Sequence, residues 1–131
     1  MKLITRDTDY AIRALCCMAK NKDKKATVLE LSKCLKMPRP FLRKILQRLG
    51  KKSIVHSYRG KGGGFSLAAS PDSISLLDVI LALQGPVMLN DHTFMKRECP
   101  EIKKCTLKKR LDKLEKIMLS GLKVITIDSI I

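Results

Sequence analysis

Four of the chain's seven glycines fall within five residues, Gly60-Lys61-Gly62-Gly63-Gly64, and no other stretch constrains the fold so tightly. Glycine weakens helix and strand interiors but accepts positive φ and close backbone approach, so this tract marks a turn. Ile54-Val55-His56-Ser57-Tyr58 precedes it as a β-branched and aromatic run, and Phe65-Ser66-Leu67-Ala68 follows it. Two short strands about a glycine-rich turn predict a β-hairpin with Arg59 and Lys61 at its tip.

What leads into the hairpin is helical in pattern. Within residues 26–35, Val28, Leu31 and Leu35 share one face at helical spacing. A break at Lys36-Met37-Pro38-Arg39 follows, and a second helix is expected to begin near Pro40, because proline suits a first helical turn. Phe41, Leu42, Ile45, Leu46 and Leu49 recur in it every three or four residues, while Arg39, Arg43, Lys44, Gln47, Arg48, Lys51 and Lys52 fill the rest. Helix, turn, helix and basic hairpin together make a winged helix, a form that suits duplex DNA. The expected fold class is therefore mainly α with a small β-hairpin wing: a winged helix-turn-helix domain plus a long C-terminal dimerisation helix.

Charge points the same way. The 131-residue chain has a formal net charge of +15, and it is uneven. Residues 1–70 hold 17 Lys and Arg against 4 Asp and Glu, whereas residues 71–131 hold 10 against 8. Cationic excess confined to the winged-helix half is the footprint of a phosphate-backbone binder. No paired carboxylates, Ser/His/Asp set or HExxH pattern is present, and His56 and His92 are the only histidines, so no enzyme and no small-molecule substrate is expected. The glycine tract lacks the spacing of a phosphate-binding P-loop, and the strands lack the interleaved aromatics of single-strand platforms. With no signal peptide and no membrane-length apolar run, a cytoplasmic protein is expected.

The flanks read as support. Residues 6–21 form a first helix burying Tyr10, Ala11, Ala14, Leu15, Met18 and Ala19. Ser73 is the candidate N-cap of an apolar helix from Ser75 to Leu83, which Gln84-Gly85-Pro86 ends. From Ile102 to about Val124 a long amphipathic helix is expected, with Leu107, Leu111, Leu114, Met118, Gly121 and Ile125 at alternating steps of four and three. Such a seam is buried well by a twin, so homodimerisation through residues 102–125 is expected. The organisation anticipated is a DNA-binding domain over 1–84, a cysteine-bearing sensor loop over 85–101, and a dimerisation helix with tail over 102–131.

Five cysteines in a reducing compartment argue against a disulfide scaffold. Cys16, Cys17 and Cys34 read as small hydrophobes of the core. Cys99 and Cys105 are different: they flank a helix start amid Lys96, Arg97, Lys103, Lys104, Lys108, Lys109 and Arg110, surroundings that favour thiolate and hence metal ligation or oxidation.

Arg59-Gly60-Lys61-Gly62-Gly63-Gly64-Phe65 resembles the wing of the Rrf-two (Rrf2) family of bacterial transcription regulators, the IscR, NsrR and CymR types. The similarity extends to Asp9-Tyr10-Ala11-Ile12-Arg13-Ala14-Leu15, Pro40-Phe41-Leu42-Arg43-Lys44-Ile45-Leu46, Ser75-Leu76-Leu77-Asp78-Val79-Ile80 and Ile125-Thr126-Ile127, nearly end to end. The resemblance implies a homodimeric regulator that binds double-stranded operator DNA. Family members holding a 2Fe–2S cluster carry three cysteines before the long helix; Cys99 and Cys105 match the last two, and Thr93 stands where the first would be. His92 beside it offers a nitrogen ligand. Three states follow: a cluster on Cys99, Cys105 and a fourth ligand, with or without His92; a thiol switch without metal; or a regulator of the same fold whose cysteines are vestigial, controlled by a protein partner. In each, Arg39, Phe41, Arg43 and Lys44 are expected in the major groove, Arg59, Gly60, Lys61 and Gly62 at the minor groove, and Arg48, Lys51 and Lys52 on phosphate. A general cationic nucleic-acid-binding module is the alternative outside the family.

Overall fold

The computed structural model describes residues 2–60, 63–89 and 105–131. It contains five α-helices and a small antiparallel sheet among the described residues: α1 (Arg6–Lys20), β1 (Lys25–Ala26), α2 (Val28–Leu35), α3 (Arg39–Lys51), β2 (Val55–Tyr58), β3 (Gly64–Leu67), α4 (Leu76–Gln84) and α5 (Thr106–Val124).

Local chemistry accounts for most boundaries. Thr5 caps α1, accepting from the Thr8 backbone N–H. Thr27 and Glu30 form a reciprocal capping box that opens α2, and Lys36 ends it in the left-handed conformation at φ 56°. Pro40 sits in the first turn of α3, where its missing N–H costs nothing. The cap of α4 is Ser75 rather than Ser73: Ser75 and Asp78 form a second capping box, and Ser73 belongs to a short 3-10 turn at Pro71–Ser73.

The sheet order is β1-β3-β2, so the hairpin gains a third strand, Lys25–Ala26, too short to leave a pattern in the sequence. Val55 pairs with Leu67 and Tyr58 with Gly64 across the hairpin, while Lys25 pairs with Ser66 and Ala26 with Phe65. The core lies where α1, α2, α3 and α4 converge, with Leu15, Met18, Leu31, Leu42, Leu46 and Val79 essentially inaccessible to solvent. Its aliphatic make-up follows from a chain with only five aromatic residues, three Phe and two Tyr.

The chain's end returns to this core. Thr126 bridges to Ser75, the Leu76 N–H donates to the Ile125 carbonyl at 2.7 Å, and the Ile127 N–H donates to Ile74 at 2.9 Å. Ile127 is fully buried in the same cluster as α1 and α3 side chains. The amino end is tied down on the other side of α4: Gln84 Nε2 donates to the Leu3 carbonyl at 3.1 Å and Gln84 Oε1 accepts from the Thr5 N–H at 3.0 Å.

The cysteines depart from expectation in one pair, Cys17 and Cys34, which are joined where no disulfide was expected. Cys16 and Cys17 pack partly buried against the core, as expected. Cys34 does not: it is exposed on α2, and its sulfur is joined to that of Cys17 on α1. Leu31, one turn back on α2, is the residue of that helix that is buried.

Candidate nucleic-acid interface

Helix α3 has two faces that do not mix. Leu42, Ile45, Leu46 and Leu49 are buried, and Arg39, Arg43, Lys44, Gln47 and Lys51 are exposed. The exposed cations make no ion pair among the described residues, so their charge is available to an external anion. The adjoining wing continues this surface. Arg59 is exposed at the end of β2, and Gly60 turns the chain at φ +118°, a value that side chains rarely adopt. Lys61 and Gly62 lie outside the described residues. Between α3 and the wing runs an open cleft of about 590 Å³ lined by Gln47, Gly50, Lys51, Val55, His56, Ser57 and Phe65. Lys25 lies over the Tyr58 ring at 5.1 Å, adding a cation from β1 to the wing's flank.

Two residues expected on this surface also hold partners within the protein. Phe41 is half-buried, packed edge-on against Tyr10 of α1 with ring centroids 6.0 Å apart, and the Arg6 guanidinium sits over its face at 5.4 Å. Its ring anchors the start of α3 to α1. Arg48 donates to the Leu83 carbonyl in the last turn of α4 and pairs with Asp7 of α1 at 3.6 Å. That carbonyl belongs to a helix end with no intrahelical partner, so the guanidinium satisfies it while linking three helices. No local pattern announces such partners, which lie 35 and 41 positions away in sequence.

At the far end of the chain, Cys105 occupies the N-cap position of α5 and is half-buried. Cys99 and His92 lie outside the described residues. Among the described residues no group of three or more His, Cys, Asp or Glu side chains is close enough to hold a metal ion. The Lys108 ammonium is raised above its ordinary value, chiefly by its hydrogen bond to Asp112 at 2.8 Å one turn on.

Helix α5 divides its apolar residues between two sides. Leu122 is buried, and Met118 and Ile125 pack with it against Leu76 and Ile80 of α4. Leu107, Leu114, Ile117 and Val124 face outward with 64%, 55%, 69% and 77% of their surface exposed. The expected seam therefore splits: Met118 and Ile125 turn toward the body, and Ile117 and Val124 replace them on the outer stripe.

The family model described as an iron-dependent transcriptional regulator, Rrf2, matches residues 4–131. The chain belongs to the Rrf2 family. Rrf2 proteins are transcriptional regulators rather than enzymes, as the absence of catalytic motifs anticipated. A protein of Aquifex aeolicus named as an HTH-type transcriptional regulator is 46% identical over 71 residues, covering 54% of this chain and 49% of that protein. The chain thus spans about half the length of this relative. Two solved structures share the fold. CymR of B. subtilis, titled its global cysteine regulator, aligns with a TM-score of 0.74 at 20% identity over 99% of this chain and 96% of that one. IscR of T. potens aligns with a TM-score of 0.73 at 21% identity over 99% and 85%. The winged-helix architecture read from the glycine tract and the two helix patterns is the architecture of these regulators.

Proposed function

We propose that this Rrf2 protein is a homodimeric, sequence-specific DNA-binding regulator whose output is set by the cysteine region before α5. The observation that carries the reading is the exposed cationic face of α3, continuous with Arg59 on the wing. Arg39, Arg43 and Lys44 enter the major groove, where arginine reads guanine through two parallel hydrogen bonds. Arg59, Gly60, Lys61 and Gly62 approach the minor groove, and Lys51 and Lys52 meet phosphate. Phe41 and Arg48 also brace α3 through their partners on α1 and α4. The domain division is a reader over 1–84, a sensor loop over 85–101, and α5 with its tail over 102–131, the outer stripe of α5 meeting its twin.

The regulatory signal is an iron–sulfur, redox or nitrosative one. Two thiolates and an imidazole, from Cys99, Cys105 and His92, are the donor types that hold a 2Fe–2S cluster, with a fourth ligand still required. Of the three, Cys105 is the one among the described residues. A bound cluster would supply one-electron chemistry and reactivity toward nitric oxide and oxygen at the root of α5.

The test starts from a duplex selected by the protein out of a random pool. Arg43→Ala is expected to lower discrimination by about 1–3 kcal/mol at one base position, whereas Lys51→Ala weakens all duplexes alike and reduces the salt slope by about one. Equal losses on selected and random duplex for Arg43→Ala would remove the base-reading role. Near-equal affinity of the unmodified protein for both duplexes would leave only a general nucleic-acid binder.

A further inference from the structure

We propose that Cys17 and Cys34 form a reversible oxidation site, closed by hydroperoxides into a disulfide that ties α1 to α2. The two sulfurs meet across the helix pair, at a sequence separation of 17; their Cα atoms, 7.3 Å apart, lie just beyond the usual disulfide span, so α1 and α2 draw together as the bond forms. Their surroundings differ in a way that assigns roles. Cys34 is exposed on α2 and meets the oxidant, while Cys17 is sheltered on α1 and resolves the product. Cys16, next door, remains a separate free thiol. Burial pushes its pKa up, only partly opposed by Lys20, so less of it is the reactive thiolate.

The chemistry balances with a hydroperoxide as the two-electron oxidant. The Cys34 thiolate attacks the outer peroxide oxygen; an S–O bond forms, the O–O bond breaks, and the alkoxide leaves with a proton as an alcohol, or as water when the oxidant is hydrogen peroxide. Cys17 then attacks the Cys34 sulfenic acid, forming the S–S bond as the S–O bond breaks, and the oxygen departs as water carrying the Cys17 proton. Two thiols are oxidised and one hydroperoxide is reduced. In a compartment kept reducing the pair rests as thiols, and disulfides found there are characteristically transient and sensing. Helix α2 is the first helix of the helix-turn-helix and packs on α3, so the bond forms one helix away from the cationic face. That last consequence rests on the regulatory reading above; the covalent test does not.

The full chain, reduced and then treated with hydrogen peroxide, is alkylated and digested without reductant. The expected product is a peptide holding Cys17 joined to one holding Cys34, two hydrogens lighter than the sum of the parts and separated again by a thiol reductant. Because Cys16 shares the Ala14–Lys20 tryptic peptide, the mapping is repeated in Cys16→Ser, where the same link must persist. Closing this loop is expected to raise the Tm by roughly 5–15 °C, a rise absent in Cys34→Ser. Cys17→Ser is expected to stop at a Cys34 sulfenic acid that a carbon nucleophile such as dimedone traps. Peroxide-treated chain in which Cys17 and Cys34 both remain alkylatable would overturn the proposal, as would a link from Cys34 to Cys16, Cys99, Cys105 or a second chain.

Discussion

Gly64 has no room for a β-carbon. One placed there would stand 2.7 Å from Thr27 Cα and 3.1 Å from the Ala26 carbonyl carbon, and both neighbours are backbone that cannot swing aside. Gly64→Ala must therefore push β1 away from β3, and we expect a loss of roughly 2–4 kcal/mol in denaturant unfolding, in the range of strained backbone and overpacked sites. Unchanged stability would mean that the sheet edge gives way freely. The requirement for glycine was legible in the sequence, but the reason was not. The tract signalled a turn and close approach to a ligand, whereas Gly64 answers to a two-residue strand, Lys25–Ala26, too short to show any periodicity. Phe41 and Arg48 teach the same lesson. Residue type placed them on the cationic surface, but it gave no sign of the partners on α1 and α4, remote in sequence, that each also holds.

At the scale of elements, the helices were readable because each carries an apolar stripe at the right period, and α1 to α4 carry a start signal as well. Helix α5 shows where that reading loses resolution. Apolar side chains at 107, 111, 114, 117, 118, 119, 122, 124 and 125 contain more than one stripe, and spacing alone does not say which one the body takes. Docking against Leu76 and Ile80 selects Met118, Leu122 and Ile125, leaving Leu107, Leu114, Ile117 and Val124 as a seam with steps of seven, three and seven. If the outer stripe is the dimer contact, Ile117→Glu places a like charge against its twin and is expected to yield a monomer in sedimentation, with its helix content retained. Met118→Glu instead buries a carboxylate beside α4 and is expected to lower the Tm before it changes the mass. A dimer that survives Ile117→Glu would assign the contact to another surface.

Across the whole molecule the two halves of the chain are mechanically joined at Ser75. The C-terminal end of α5 hands over to Ile125-Thr126-Ile127, which pairs with Ile74–Leu76 and buries Ile127 beneath the winged domain, while the opposite end of α5 begins at Cys105. A helix of 19 residues thus leads from Cys105 to the segment that closes onto the winged-helix core. That layout gives a ligand at Cys105 a physical route to the wings, provided that its bound and unbound states favour different placements of α5. The test of the sensor is direct. Protein purified without oxygen is expected to absorb in the visible range and to contain about two irons and two sulfides per chain, the stoichiometry of a 2Fe–2S centre. Cys99→Ala and Cys105→Ala are each expected to lose the colour and the iron, and His92→Ala to retain iron while shifting the spectrum if an imidazole completes the site. Releasing the cluster should then change the affinity for the selected duplex. A colourless chain that resists reconstitution yet binds that duplex would place the signal on thiol oxidation or a protein partner, and the Thr93 that stands in for a family cysteine would be the residue that set it apart.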